Sequence, residues 1–224
     1  MGCSRLTIFA GHYGSGKTNL AVNYAFTVKH AYPGCRVILA DLDIVNPYFR
    51  SIDSEKILKR QGIEVIASRY ANSNLEAPSM PSEAMAVFAD KNCYGIFDVG
   101  GDDRGAYAIG RYAEIIEAEK ADILLVCNKY RPLSRTPGQV LTIKNEIEAA
   151  SRIRFTGIVN NSNLCGQTSP DDILSSAGYI NEVSALSGLP IVFTAVIREL
   201  AEALPGIPAL FPISIYRKEE WKIE

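Results

Sequence analysis

Short runs of almost continuous apolar residues recur along the chain, with helical stretches between them. Six of these runs cover residues 6–10, 37–40, 96–99, 123–127, 155–159 and 191–196. A seventh run, which is less strongly apolar, covers residues 63–67. Strands that are apolar on both faces are typical of a parallel sheet covered by helices on both sides. The pattern therefore predicts an α/β fold, doubly wound around a mostly parallel sheet, with residues 1–224 in a single domain.

Two helix starts can be recognised from a capping residue followed by proline. Thr136 and Ser169 each place a side-chain oxygen before a proline at the first helical position. The second helix is predicted to end before Gly188, which suits a left-handed cap, and Pro190 prevents its continuation. The polar stretch 68–82 is predicted to be a surface loop, either a plain connector or a lid or partner site.

Composition and charge exclude several classes of protein. The chain is 47% hydrophobic and 21% charged, as is usual for a globular protein, and its net charge is −2 with no long run of one sign. The sequence therefore gives no indication of nucleic-acid binding. No window holds 18 consecutive apolar residues, and the amino terminus has no apolar signal core. We expect a cytoplasmic protein with no membrane partner.

The chain has five cysteines, an odd number, and they are widely spaced: Cys3, Cys35, Cys93, Cys127 and Cys165. Most of them lie in apolar runs, where a cysteine usually behaves as a small buried hydrophobic residue. They are therefore predicted to be mainly buried thiols in a reducing compartment rather than disulfides.

A glycine-rich segment, residues 11–18, follows the first apolar run and precedes a predicted helix over 18–28. Its sequence, Gly-His-Tyr-Gly-Ser-Gly-Lys-Thr, matches the spacing of a phosphate-binding loop, in the strand, loop and helix setting that this motif requires. Backbone N–H groups in such a loop surround phosphate oxygens, and Lys17 would reach the terminal phosphates. The candidate nucleotide-binding residues are Gly11, His12, Tyr13, Gly14, Ser15, Gly16, Lys17, Thr18 and Asn19.

Carboxylates end two further apolar runs. Asp98 closes one, and Asp41 and Asp43 end another. Ligands bind at the carboxyl ends of strands in open α/β sheets, and Mg²⁺ takes oxygen ligands, so Thr18 is predicted to ligate this ion and Asp98 to hold it through water. Of Asp41 and Asp43, one could reach the metal shell and the other a water molecule; a solvated turn closed by Pro47 is the alternative.

These residues resemble the MinD/ParA family of ATPases, which shares a nucleotide-binding domain with CobQ and CobB. The resemblance covers most of the chain and also includes Asn46-Pro47, Ile158-Val159-Asn160-Asn161, Ala195-Val-Ile197, Ala203 and Gly206-Ile-Pro208. It implies ATP and Mg²⁺ as cofactors, with Asp41 as a metal ligand and with Lys17 and Asp43 as catalytic residues, Asp43 orienting the attacking water. It further implies that Asn160 binds the adenine base and that two subunits close over ATP.

The chain departs from this family at His12, where a second lysine normally reaches the partner subunit's phosphates. We consider Arg50 or Arg104 as the source of the missing positive charge. The segment Asn128-Lys129-Tyr130-Arg131 is similar to a guanine-reading motif, but arginine stands in place of its aspartate. This favours an ordinary strand-end loop, with contact to a partner or substrate as the alternative.

The sequence thus predicts a Mg²⁺-dependent ATPase that works as a nucleotide-driven switch, with an ATP-dependent homodimer and an unidentified protein partner or small-molecule substrate. The alternative is a small-molecule ligase or kinase on the same scaffold, similar to dethiobiotin synthetase or CobB. The absence of the family's cross-subunit lysine at His12 favours that alternative. A third possibility is a protein that binds ATP and scarcely hydrolyses it.

Overall fold

The computed structural model describes residues 4–42, 57–67, 82–100 and 103–216 of the chain. Its strands are β1 Leu6–Ala10, β2 Arg36–Asp41, β3 Ile63–Ala67, β4 Cys93–Asp98, β5 Asp122–Cys127, β6 Gly157–Asn160, β7 Ile191–Ile197 and β8 Leu210–Ile213. Its helices are α1 Lys17–Ala31, α2 Ser82–Ala89, α3 Asp103–Gly110, α4 Ala113–Ala118, α5 Pro137–Ser151 and α6 Pro170–Ser187. Short 3₁₀ helices cover Pro132–Ser134, Cys165–Gln167 and Arg198–Ala203.

The eight strands form one sheet in the order β3-β2-β4-β1-β5-β6-β7-β8, and every pair of neighbours is parallel. Each of the seven predicted apolar runs overlaps one strand, and the predicted doubly wound α/β fold is confirmed. β8 was not predicted. It is only four residues long and contains Pro212, which an edge strand tolerates because one side of it needs no ladder hydrogen bonds.

Helices cover both faces of the sheet because successive residues of a buried strand point to opposite sides. In β1, Ile8 belongs to a hydrophobic cluster that includes Ile147 of α5 and Ile180 of α6. The next residue, Phe9, belongs to a second cluster that includes Leu20 of α1. Helix α1, which follows the glycine-rich segment, therefore lies on one face, and α5 and α6 lie on the other.

The predicted helix starts are confirmed in detail. The Thr136 side chain accepts a hydrogen bond from the backbone N–H of Gln139, and the backbone N–H of Thr136 donates to the side-chain oxygen of Gln139. Ser169 forms the same capping box with Asp172. Helix α6 ends at Ser187, and its cap residue Gly188 has a φ of 72°, in the left-handed region that glycine tolerates best.

The cysteines that the structure describes differ in burial. Cys93 and Cys127 are buried, Cys35 is half-buried, and Cys165 is exposed. Cys165 begins a short surface 3₁₀ helix rather than a strand, so no apolar layer covers it. Cys3 and most of the predicted loop 68–82 lie outside the described residues. In the part of the chain that the structure describes, no helix is long and apolar enough to cross a membrane.

Candidate phosphate and metal site

Residues 11–18, named the phosphate loop below, connect the end of β1 to the start of α1. Gly14 and Gly16 have φ values of 77° and 90°, in the left-handed region that glycine adopts without strain. The N–H of Ser15 donates to the carbonyl of His12 at 3.1 Å and closes the turn. Backbone that alternates in this way before a helix directs several N–H groups into one concavity, which suits an anion.

Neighbouring strands hold the phosphate loop so closely that two of its glycines have no room for a side chain. A Cβ atom at Gly11 would lie 2.6 Å from the carbonyl oxygen of Val126 in β5. A Cβ atom at Gly16 would lie 2.3 Å from Nδ2 of Asn161, just after β6. The amide of Asn161 is buried and donates to the carbonyl of Ser15 at 2.6 Å. Val126 and Asn161 therefore hold the phosphate loop in place through close contact and a hydrogen bond.

Three side chains of the phosphate loop take different positions. Lys17 is almost fully buried, and its Nζ donates to the carbonyl of His12 at 3.2 Å, which places the ammonium group across the loop. Nδ1 of His12 lies 2.9 Å from the carbonyl oxygen of Tyr13. The ring of Tyr13 is 56% exposed. Lys17 therefore adds positive charge within the loop, while Tyr13 faces outward.

Thr18, Asp98 and Asp41 form an oxygen-rich group beside the loop. The Thr18 hydroxyl donates to Oδ2 of Asp98 at 2.5 Å. Asp41 and Asp98 are partners in the register between β2 and β4, so their side chains share one face of the sheet. Both are buried, at 7% and 2% exposure. The structure therefore brings all three predicted metal ligands to the same edge of the sheet.

These residues fit Mg²⁺ better than a metal held by protein ligands alone. Among the residues that the structure describes, no group of three or more His, Cys, Asp or Glu could hold a metal ion. Mg²⁺ commonly takes one or two carboxylates and completes its octahedron with water and substrate phosphate oxygens. A hydroxyl and two carboxylates next to a phosphate loop match that chemistry.

Two predicted nucleotide-binding residues have other roles in the structure. Both polar ends of the Asn160 side chain are engaged internally, with Nδ2 donating to Ser176 of α6 at 2.9 Å and Oδ1 accepting from the N–H of Ser162 at 3.2 Å. Asn19 donates to the carbonyl of Ser214 and accepts from the N–H of Tyr216, each at 3.0 Å. These bonds hold both side chains within the protein, and the predicted nucleotide contacts of Asn160 and Asn19 stay predictions.

Sequence reasoning missed Asn161, which is adjacent to the residue it selected. Neighbouring residues at a strand end point in opposite directions, and only the fold shows which one faces the phosphate loop. Asp43, Arg50 and the side chain of Arg104 lie outside the described residues, so their predicted roles stay predictions.

Residues 128–131, which follow β5, make mainly structural contacts, as expected for an ordinary loop at the end of a strand. Oδ1 of Asn128 accepts from the N–H of Tyr130 at 3.0 Å, and Nζ of Lys129 donates to the carbonyl of Ser175 at 2.9 Å. The first contact closes the loop on itself, and the second attaches it to α6. Arg131 instead turns toward the phosphate loop, where its Cδ and Nε lie 3.7 Å from the position of a Cβ atom at Gly14.

No protein-family model matches this sequence, and no curated protein matches it. Among solved structures, the chain is similar to FtsY from Mycoplasma mycoides, with 18% identity and a TM-score of 0.56 over 88% of this chain and 62% of that one. FtsY from Thermotoga maritima gives 21% identity and a TM-score of 0.54 over 85% and 61% of the two chains. The signal recognition particle receptor FtsY from Elizabethkingia anophelis, in complex with GDP, gives 15% and 0.53 over 88% and 58%.

The chain thus spans about three-fifths of the length of these structures. At such low identity the likeness concerns the fold, and it does not single out the MinD/ParA family. Together with the phosphate loop and the all-parallel sheet, it establishes that this chain has the fold of the P-loop nucleoside triphosphatases.

Proposed function

We propose that this protein is a Mg²⁺-dependent nucleoside triphosphatase that acts as a nucleotide-driven switch. The observation that carries the proposal is the hydrogen bond between Thr18 and Asp98, which joins the end of the phosphate loop to the carboxyl end of β4. One hydroxyl and one carboxylate, already in contact beside the phosphate loop, form a ready pair of ligands for a metal bound to phosphate.

Each group in the site has a distinct part in this proposal. The loop amides and Lys17 bind the phosphates, and Thr18, Asp98 and Asp41 bind Mg²⁺. When bound, the ion neutralises charge on the phosphate oxygens. Asp43 is assigned to orienting the attacking water on the resemblance alone. The protein's own contribution is positioning and electrostatic stabilisation, which account for most of the catalysis of phosphoryl transfer.

ATP is the nucleotide we propose, on the resemblance to MinD/ParA ATPases. GTP is the second candidate, because one structure with a similar fold holds GDP. Competition between ATP and GTP for the wild-type protein, with Mg²⁺ present, distinguishes them. A tenfold or greater preference for ATP or for GTP identifies the nucleotide that the protein selects. Equal affinities for the two would contradict the proposal that it selects ATP.

Hydrolysis is tested by phosphate release from the wild-type protein, Lys17→Ala and Lys59→Ala. Lys17 is buried in the phosphate loop, whereas Lys59 is exposed elsewhere on the surface. Lys17→Ala is expected to lose nucleotide binding and hydrolysis, while Lys59→Ala keeps both. Binding without any phosphate release by the wild-type protein would refute the hydrolase and favour a binding-only protein.

We also propose that the nucleotide controls a homodimer that forms at the phosphate-loop face. Exposed apolar side chains support this, because Tyr13 lies on the loop and Leu133 lies two residues beyond Arg131, at 56% and 57% exposure. Asp43→Ala, expected to bind but not hydrolyse ATP, is the protein to use for light scattering. A dimer with Mg²⁺-ATP and a monomer with Mg²⁺-ADP is the expected result. An unchanged mass with bound ATP would contradict the dimer and favour a small-molecule ligase or kinase.

A further inference from the structure

We propose that Arg131 contacts the phosphates of the bound nucleotide within the same protomer and supplies the second positive charge of the site. The inference deepens the proposed function and rests on it. Arg131 would thus provide the positive charge that is missing at His12, for which Arg50 and Arg104 are the candidates from the sequence.

The first observation is the contact between Arg131 and the phosphate loop. Both Cδ and Nε lie 3.7 Å from the position of a Cβ atom at Gly14, and Cζ lies 4.0 Å from it. A side-chain carbon at position 14 would therefore be in van der Waals contact with the base of the guanidinium group, which places Arg131 next to Gly14. Gly14 has no side chain to separate the two, so a phosphate group bound in the loop would also lie close to the guanidinium.

The second observation concerns hydrogen bonding. Nε of Arg131 is buried and has no hydrogen-bond partner among the residues that the structure describes. A buried donor on a charged group is costly to leave unsatisfied. Arginine presents its N–H groups in a planar fork that matches two phosphate oxygens, so a phosphate in the adjacent loop would satisfy this donor.

The third observation is that a rigid turn presents Arg131. Its N–H donates to the carbonyl of Asn128 at 3.2 Å, and its carbonyl accepts from the N–H of Ser134 at 3.1 Å. The buried Ser134 hydroxyl donates to the carbonyl of Asn128 at 2.8 Å, and Tyr179 of α6 donates to the carbonyl of Ser134 at 2.7 Å. The backbone is thus held independently of the arginine side chain, so a substitution of that side chain need not disturb the turn.

The other cations of this segment are placed differently. Nζ of Lys129 is directed to α6, where it donates to the carbonyl of Ser175. Arg135 is exposed at the end of the 3₁₀ helix. Arg131 is therefore the cation that the segment brings to Gly14, and Arg135 is a matched control with the same charge, four residues along the chain.

The experiment measures the affinities of Mg²⁺-ATP, Mg²⁺-GTP and inorganic tripolyphosphate for the wild-type protein, Arg131→Gln, Arg131→Lys and Arg135→Gln. We expect Arg131→Gln to weaken the binding of tripolyphosphate and of the preferred nucleotide by about tenfold. Arg131→Lys should recover part of the loss because it restores the charge without the fork. Arg135→Gln should stay within twofold of the wild type. The melting temperature of each variant should match that of the wild type.

Two results would overturn the inference. One is that Arg131→Gln binds both ligands as the wild type does. The other is that Arg131→Gln and Arg131→Lys lose affinity equally and also melt earlier, which would make the role purely structural. If the wild-type protein binds tripolyphosphate but no nucleotide, the proposed function is refuted. The tripolyphosphate affinities of the wild type and the Arg131 variants still show whether Arg131 contacts phosphate. A wild-type protein that binds neither ligand refutes both.

Discussion

The hydroxyl of Thr18 donates a 2.5 Å hydrogen bond to Oδ2 of Asp98 and so joins the first turn of α1 to the last residue of β4. The two residues are 80 positions apart in sequence, and the central position of β1 in the sheet brings them together, because β1 pairs directly with β4. A Mg²⁺ ion bound here would use the Thr18 oxygen as a ligand and would be held by Asp98, so the residue that ends the phosphate loop would also hold the metal. Metal binding and phosphate binding are therefore coupled through Thr18.

Thr18→Val removes the hydroxyl and keeps the shape of the side chain. We expect this variant to lose about tenfold in nucleotide affinity when Mg²⁺ is present, a change of roughly 1.4 kcal/mol. Thr18→Ser keeps the hydroxyl and should remain within about threefold of the wild type. The measurement is a titration of nucleotide with Mg²⁺ and again with EDTA. In EDTA the three proteins should bind alike, and a Thr18→Val protein that still gains affinity from Mg²⁺ would remove Thr18 from the metal site.

Gly16→Ala tests how firmly the phosphate loop is held. The new methyl group would lie 2.3 Å from Nδ2 of Asn161, and the residue would also have to keep a φ of 90°. Strain and steric conflict together predict a loss of at least about 2 kcal/mol in the free energy of unfolding.

Gly178→Ala is the matched control for Gly16→Ala. Gly178 lies within α6, and nothing lies within 4 Å of the added Cβ. Alanine is a better helix former, so this variant should gain about 0.5–1 kcal/mol. Urea denaturation measures both changes. Equal stability of the two variants would contradict the close packing of the loop against Asn161.

The pattern of apolar residues along the chain is sufficient to predict most of the strands, but it does not predict the contacts within the site. Both sides of a parallel strand are buried, so runs such as 6–10 and 123–127 stand out in the sequence, and each is a strand here. β8 did not stand out because it is short and carries Pro212. Asn161 and Arg131 reach the phosphate loop from β6 and from the end of β5, and such contacts depend on strand order, which local sequence does not encode.

Asn160 and Asn161 can be separated by comparing their alanine variants. Asn161→Ala removes the hydrogen bond to the carbonyl of Ser15, and Asn160→Ala removes the one to Ser176 of α6. Each bond is buried, so each variant should lose about 1–3 kcal/mol in the free energy of unfolding. Only Asn161→Ala should also weaken nucleotide binding, because only Asn161 holds the loop. A larger loss of nucleotide affinity in Asn160→Ala would contradict this expectation and support the predicted role of Asn160 in binding.

The cysteines that the structure describes should differ in their reactivity toward alkylating reagents, because some of their thiols are buried and others are not. Burial raises the pKa of the Cys93 thiol to about 11 and that of Cys127 to about 12, from an ordinary value of 9.0, whereas Cys165 is exposed. Iodoacetamide reacts with thiolate, so at pH 8 it should modify Cys165 first, and Cys93 and Cys127 only when the chain unfolds. Peptide mapping by mass spectrometry at successive times follows each thiol separately.

The raised pKa values of Cys93 and Cys127 also give a dependence of stability on pH. Above about pH 9 the unfolded chain releases these two thiol protons while the folded chain keeps them, so the unfolded state binds fewer protons and ionisation favours unfolding. The stability contributed by the protonated thiols is complete below pH 9 and declines as pH rises through 11 and 12. Replacing Cys127 with alanine should therefore reduce the slope of the free energy of unfolding between about pH 9 and pH 10.5. An unchanged slope, or rapid alkylation of Cys127 in the folded protein, would mean that β5 is more open than its packing between β1 and β6 indicates.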